Sequence, residues 1–210
     1  MTPQAITELF TRFSQLNAHP ETELAYTNPY TLLVAVALSA QSTDIGVNKA
    51  TALLFNEIDT PEKMLVLGED GLKSHIKTIG LYNTKAKNIM AAARILVDHF
   101  GGQVPHTREE LESLPGVGRK TANVVLNTAF GQHTIAVDTH IFRVSNRLGL
   151  AKGTTPLAIE LQLEKVIPDA FIQHAHHWLI LHGRYICKAR KPDCSNCPVH
   201  DLCEYPDKTI

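Results

Sequence analysis

With 210 residues, 44% apolar composition and a formal net charge of −1, the chain has ample material for a packed core, as one large or two small domains. Its longest strongly apolar stretch, Tyr30 to Ala40, is too short to cross a bilayer. No internal repeat, low-complexity tract or disordered tail is present, and no signal peptide is visible, so the expected setting is the cytoplasm.

Apolar residues recur at helical spacing in Ile6, Leu9, Phe10 and Phe13, which predicts a helix near the start. Tyr30 to Ala40 reads as a buried core helix, and Ile89, Ala92, Ala93 and Leu96 mark another. Short breaks occur around Pro20, at Gly101-Gly102-Gln103-Val104-Pro105 and at Gly131-Gln132-His133, but none is a linker. Helical spacing returns from Phe171 through Ile180, and convincing strand alternation is scarce. The expected fold class is all-α.

The run Leu114-Pro115-Gly116-Val117-Gly118, with Lys120 two residues beyond, lies between helical patterns carrying Leu111 and Leu114 before it and Ala122, Val125, Leu126 and Ala129 after it. It reads as helix, Gly-rich hairpin, helix. Gly116 and Gly118 permit unusual backbone angles and close approach by a ligand. The second helix begins near Gly118, where unpaired N–H groups and the positive end of the helix dipole favour a phosphate. That same field disfavours an ammonium at Lys120, and a neutral amine is the form a nucleophile needs. The bland alternative is a helix corner with a surface lysine.

Asp138 follows the apolar run Thr134-Ile135-Ala136-Val137 and precedes Ile141, Phe142 and Val144, the pattern of an N-cap. A capping carboxylate is held rigidly and can also face a reacting group. Among the histidines, His174, His176, His177 and His182 do not share one helix face, so core or surface roles are expected for most, and His140 is the one near Asp138. All four cysteines fall within one short segment as Cys187-x6-Cys194-x2-Cys197-x5-Cys203. In a reducing setting that spacing favours one metal site over two disulfides, with zinc and an iron–sulfur cluster both open. Arg184, Lys188, Arg190 and Lys191 lie within eight residues that contain no acid, a candidate phosphate-binding surface if the cysteines pin the loop. Arg119, Arg143 and Arg147 either extend this track or pair with local acids.

Together the Leu-Pro-Gly-Val-Gly-Arg-Lys hairpin, the Val-Asp-Thr-His segment at 137–140 and the 6-2-5 cysteine spacing resemble the endonuclease III family, bifunctional DNA glycosylases and abasic-site lyases of the helix-hairpin-helix superfamily. The resemblance covers nearly the whole chain, including Leu38 to Asp44 and His177-Trp178-Leu179 to Gly183-Arg184. It implies a bilobed fold, with a helical barrel of residues 21–133 containing the hairpin motif at about 108–127, and an iron–sulfur domain made of residues 1–20 and 134–210. The hairpin and Asp138 would line the cleft between the lobes.

By the same resemblance Cys187, Cys194, Cys197 and Cys203 hold one four-iron, four-sulfur cluster, Lys120 is the Schiff-base lysine and Asp138 the catalytic aspartate. Gln41 and Leu81 match loops inserted into DNA, joining Gly116, Val117, Gly118, Arg184, Lys188, Arg190 and Lys191 as expected DNA contacts. The implied partner is double-stranded DNA carrying damaged pyrimidines or abasic sites, met by a monomer with no membrane attachment. Two rivals are the related adenine-mismatch glycosylases, which generally lack a lysine at this position, and a non-catalytic DNA-binding module with a structural metal.

Overall fold

The structure, a computed structural model, describes residues 1–209, and among these every regular element is an α-helix. Among the described residues, no helix is long and apolar enough to cross a membrane. The chain starts with α1 (Pro3–Leu16), runs through α2 (Pro29–Ser39), α3 (Asp44–Thr51), α4 (Leu54–Glu57), α5 (Pro61–Ile76), α6 (Tyr82–Phe100), α7 (Arg108–Glu112) and α8 (Arg119–Phe130), and continues in α9 (Thr139–Leu148), α10 (Pro156–Val166) and α11 (Asp169–Tyr185). It divides into two compact units: Thr22–Gly131, and Met1–Glu21 together with the chain from Gln132 onward.

Local chemistry sets most of the helix starts. Thr2, Asn28, Thr43, Thr60, Thr107, Asp138 and Thr155 each accept a backbone N–H from the first turn of the helix that follows, satisfying donors that have no partner within the helix. Proline enters α1, α2, α5 and α10 at the first turn, where its missing N–H costs nothing. The C-caps Gly101, Gly131 and Gly149 are left-handed.

In the Thr22–Gly131 unit, α2 is the central helix and packs on α3, α6 and α8. Tyr30 and Leu32 to Val36 are all buried, so this helix is apolar around its whole circumference rather than along one stripe. α5 bends at Gly68, whose φ of 76° is not helical, and packs along α6.

The other unit is built from both chain ends. Leu9, Phe10 and Phe13 of α1 join Ile141 and Val144 of α9 and Trp178 and Leu179 of α11 in one core. Trp178 Nε1–H donates to the Asn17 carbonyl at 2.8 Å, and Arg12 pairs with Asp201 at 2.6 Å. These contacts secure α1 to sequence more than 150 residues away.

Candidate DNA-repair site

The hairpin between α7 and α8 is anchored from beneath. Leu111, Leu114 and Val117 are buried, Leu114 N–H donates to Leu111, and Val117 N–H donates to Leu114 at 3.0 Å. Val117, expected among the DNA contacts, therefore has its N–H committed to the turn. Gly116 has φ 79°, and a Cβ there would lie 2.9 Å from Asn88 Cβ. Gly118 differs: its φ is −99°, and a Cβ would meet nothing within 4 Å. It is the N-cap of α8 and offers no side chain to the first-turn donors. Lys120 stands exposed in that first turn.

Among the described residues, three that are not glycine have positive φ: Gln41 at 56°, Leu81 at 60° and Lys191 at 50°. All three are expected DNA contacts and all are exposed, which concentrates backbone strain where contact with a ligand is expected. Leu81, which as an isolated leucine could have been core, is 62% exposed. Gln41, Leu81, Asn88, Gly116 and Val117 line one cavity of about 190 Å³, so the Gln41 turn, the Leu81 turn and the hairpin share a single depression. Lys85, also on its wall, is a residue that sequence reasoning missed. Its signal was available: it occupies the apolar face of α6 together with Ile89, Ala92, Ala93 and Leu96, an odd position for an ammonium.

In the other unit, half-buried Asp138 caps α9, its Oδ1 accepting Ile141 N–H at 2.8 Å. His140 sits one residue pair along, with Nδ1 3.2 Å from Arg143 Nη2. Arg143 donates to the carbonyls of Cys187 and Gly183 at 3.0 and 2.8 Å, and Arg147 to those of Lys188 and Ala189 at 2.7 and 3.1 Å. Both arginines grip the loop that carries the basic track, through its backbone carbonyls. Lys188, Arg190 and Lys191 are exposed on that loop, and Arg184 is half-buried on the last turn of α11.

None of the four cysteines forms a disulfide, and all line one small cavity with Arg147, His182 and Tyr205. Among the described residues, no three His, Cys, Asp or Glu side chains converge closely enough to hold a single ion. A zinc ion needs four ligands near 2.0–2.3 Å; four cysteine thiols around one cavity are also the donor set of a multi-iron cluster. Burial pushes the Cys197 thiol up to about 11 and Cys203 upward too, so a positive centre is needed to hold both as thiolates. His176, His177 and His182 are buried, and His182 Nε2 approaches Cys197 Sγ at 3.9 Å.

An all-helical fold with a glycine hairpin and a four-thiol segment defines a class of DNA-repair protein, and residues 34–169 match the family model of the HhH-GPD superfamily base excision DNA repair proteins. Residues 187–203 match the iron–sulfur binding domain of endonuclease III. Endonuclease III of Rickettsia conorii is 60% identical over 205 residues, covering 98% of each chain, and that of Escherichia coli K12 is 59% identical over 201 residues, covering 96% of this chain and 95% of the relative. A solved structure of a trapped endonuclease III–DNA covalent intermediate superposes with a TM-score of 0.89 at 44% identity, covering 97% of this chain and 96% of that one. The chain belongs to the endonuclease III family. It is a base-excision repair enzyme, a DNA glycosylase and abasic-site lyase, with one four-iron, four-sulfur cluster.

Proposed function

We propose that this chain removes oxidised pyrimidines from duplex DNA as a cytoplasmic monomer and cleaves the abasic strand through an imine on Lys120. The observation that carries this reading is Lys120 itself, an exposed amine in the first turn of a helix whose N-terminus has no side-chain cap. The uncapped N–H groups suit a phosphate beside the target sugar. Because Lys120 is exposed, exclusion of water from its amine falls to the bound DNA.

The amine of Lys120 attacks C1′ of the extruded nucleotide; a C–N bond forms, the N-glycosidic bond breaks and the base leaves with a proton. The sugar ring opens to an iminium, which acidifies the 2′ hydrogen. Loss of that proton expels the 3′ phosphate, and hydrolysis of the imine frees Lys120. Asp138, fixed by its capping bond, stabilises positive charge on the sugar and assists proton transfer. Gln41 and Leu81 fill the gap left in the base stack.

Cys187, Cys194, Cys197 and Cys203 hold the cluster, and Arg184, Lys188, Arg190 and Lys191 meet phosphates beside it. The elimination is redox-neutral, and the bound cluster supplies a cross-link that orders the basic loop.

The test is strand cleavage of a duplex bearing one thymine glycol. Lys120→Ala keeps DNA binding and loses cleavage. Asp138→Asn retains a capping side chain, so its fold is kept while its rate drops about tenfold or more. Full activity of Asp138→Asn would reduce Asp138 to a cap.

A further inference from the structure

We propose that Lys85 is the positioning residue of the Gln41 loop, holding it in the conformation that enters the base stack. The inference rests on the reading of Gln41 as a residue inserted into DNA. Lys85 is only 8% exposed, and no carboxylate meets its amine in the hydrogen bonds it makes. Its Nζ donates to the Leu38 carbonyl at 2.9 Å, the Ala40 carbonyl at 2.7 Å and Ser42 Oγ at 3.0 Å. An ammonium has three N–H bonds, and these acceptors use all of them. Leu38 and Ala40 lie at the C-terminal end of α2, where carbonyls lack helical partners and the dipole is negative, so a cation without a counter-ion is stable there.

The acceptors bracket Gln41 on both sides, while Gln41 itself is exposed with φ 56°. A left-handed glutamine in an unsupported turn would relax toward ordinary backbone angles and lose its aim. Lys85 also connects to the second inserted turn, since its own N–H donates to the Leu81 carbonyl at 3.0 Å. The two turns adjoin: a Cβ on Gly80 would lie 3.9 Å from the Gln41 carbonyl. One residue thus ties both loops to the rigid α6, with its backbone at Leu81 and its side chain at Gln41.

Lys85 touches no reacting atom in this account, so its removal acts through Gln41 alone. The experiment compares wild type, Gln41→Ala, Lys85→Met and the double variant on a duplex with one thymine glycol and on a single-stranded abasic oligonucleotide, where no stack needs support. Lys85→Met is expected to lose about tenfold or more in kcat/KM on the duplex, mostly through KM, and to cleave the single strand within about threefold of wild type. The double variant falls no more than about twofold below the worse single variant, as two changes in one unit must. Equal losses on both substrates, additive losses, or a fully active Lys85→Met would overturn the proposal. If Lys85→Met does not fold, Ser42→Ala, which removes one acceptor, carries the same comparison: a selective duplex loss that is non-additive with Gln41→Ala supports the proposal, and no loss overturns it. A fully active Gln41→Ala sinks the insertion reading itself, whereas an impaired Gln41→Ala beside an unimpaired Lys85→Met sinks only the role of Lys85.

Discussion

Gly116 and Gly118 stand two residues apart and answer to different constraints. The fold demands the first: its φ of 79° and its 2.9 Å approach to Asn88 leave no room for a side chain. Nothing in the protein demands the second, since a methyl group at Gly118 meets only open space at an ordinary φ. Its smoothness is intelligible as room for a DNA backbone pressed against the uncapped α8. Gly116→Ala should therefore destabilise the protein by about 1–3 kcal/mol, read as a lowered thermal midpoint. Gly118→Ala should leave the midpoint nearly unchanged and weaken duplex binding by about tenfold. The reverse pattern would remove Gly118 from the interface. Sequence alone marks both glycines but cannot tell them apart, because the difference lies in Asn88, which α6 brings beneath the turn. Lys120 and Asp138 are legible because each sits at a helix start. Leu81 is harder: Gly80 and Asn83 mark a turn, but nothing in the sequence says that the leucine between them takes the left-handed conformation and stands exposed.

Helix α9 is joined to α11 and to the cysteine loop by two arginines whose work is mechanical. Arg147 spans two loop carbonyls and stacks 4.7 Å above the Tyr205 ring; Arg143 reaches the Cys187 carbonyl from the same helix. Sequence gives the charge of these side chains but not their direction, since their acceptors lie some 40 residues further on. The basic loop is thus backed by two half-buried cations bonded to its own carbonyls. In duplex binding measured against salt, alanine at each of Lys188, Arg190 and Lys191 should reduce the slope of log K by about 1 for every phosphate that the side chain neutralises. Arg147→Met should lower affinity at all salt concentrations while largely keeping the slope. An unchanged slope in the triple alanine variant would exclude this loop from DNA. The α2 helix is the most legible element, its unbroken apolar run leaving no alternative to full burial. Where α2 ends, the sequence is silent about the lysine that captures its last carbonyls, because Lys85 arrives from 45 residues away.

At the scale of the whole molecule, the chain places its cysteine segment in a unit assembled from both ends, so composition shows no linker to announce it. That unit also buries a titratable core. Burial, aided by His174, lowers His177 from 6.5 to about 4. The neutral ring is the folded form and the unfolded chain binds the proton more readily. The stabilisation is therefore complete above pH 6.5 and is lost as pH falls toward 4, amounting to about 3 kcal/mol at most. The thermal midpoint of wild type should drop more steeply between pH 6.5 and 4.5 than that of His177→Phe; parallel curves would contradict the assignment. Catalysis itself turns on one covalent bond. Borohydride trapping on a duplex with a single thymine glycol, followed by mapping of the adducted peptide, tests it most directly. A stable protein–DNA adduct on Lys120 that Lys120→Ala cannot form is the expected result, whereas normal DNA binding with no adduct, or an adduct on another residue, would contradict the imine mechanism.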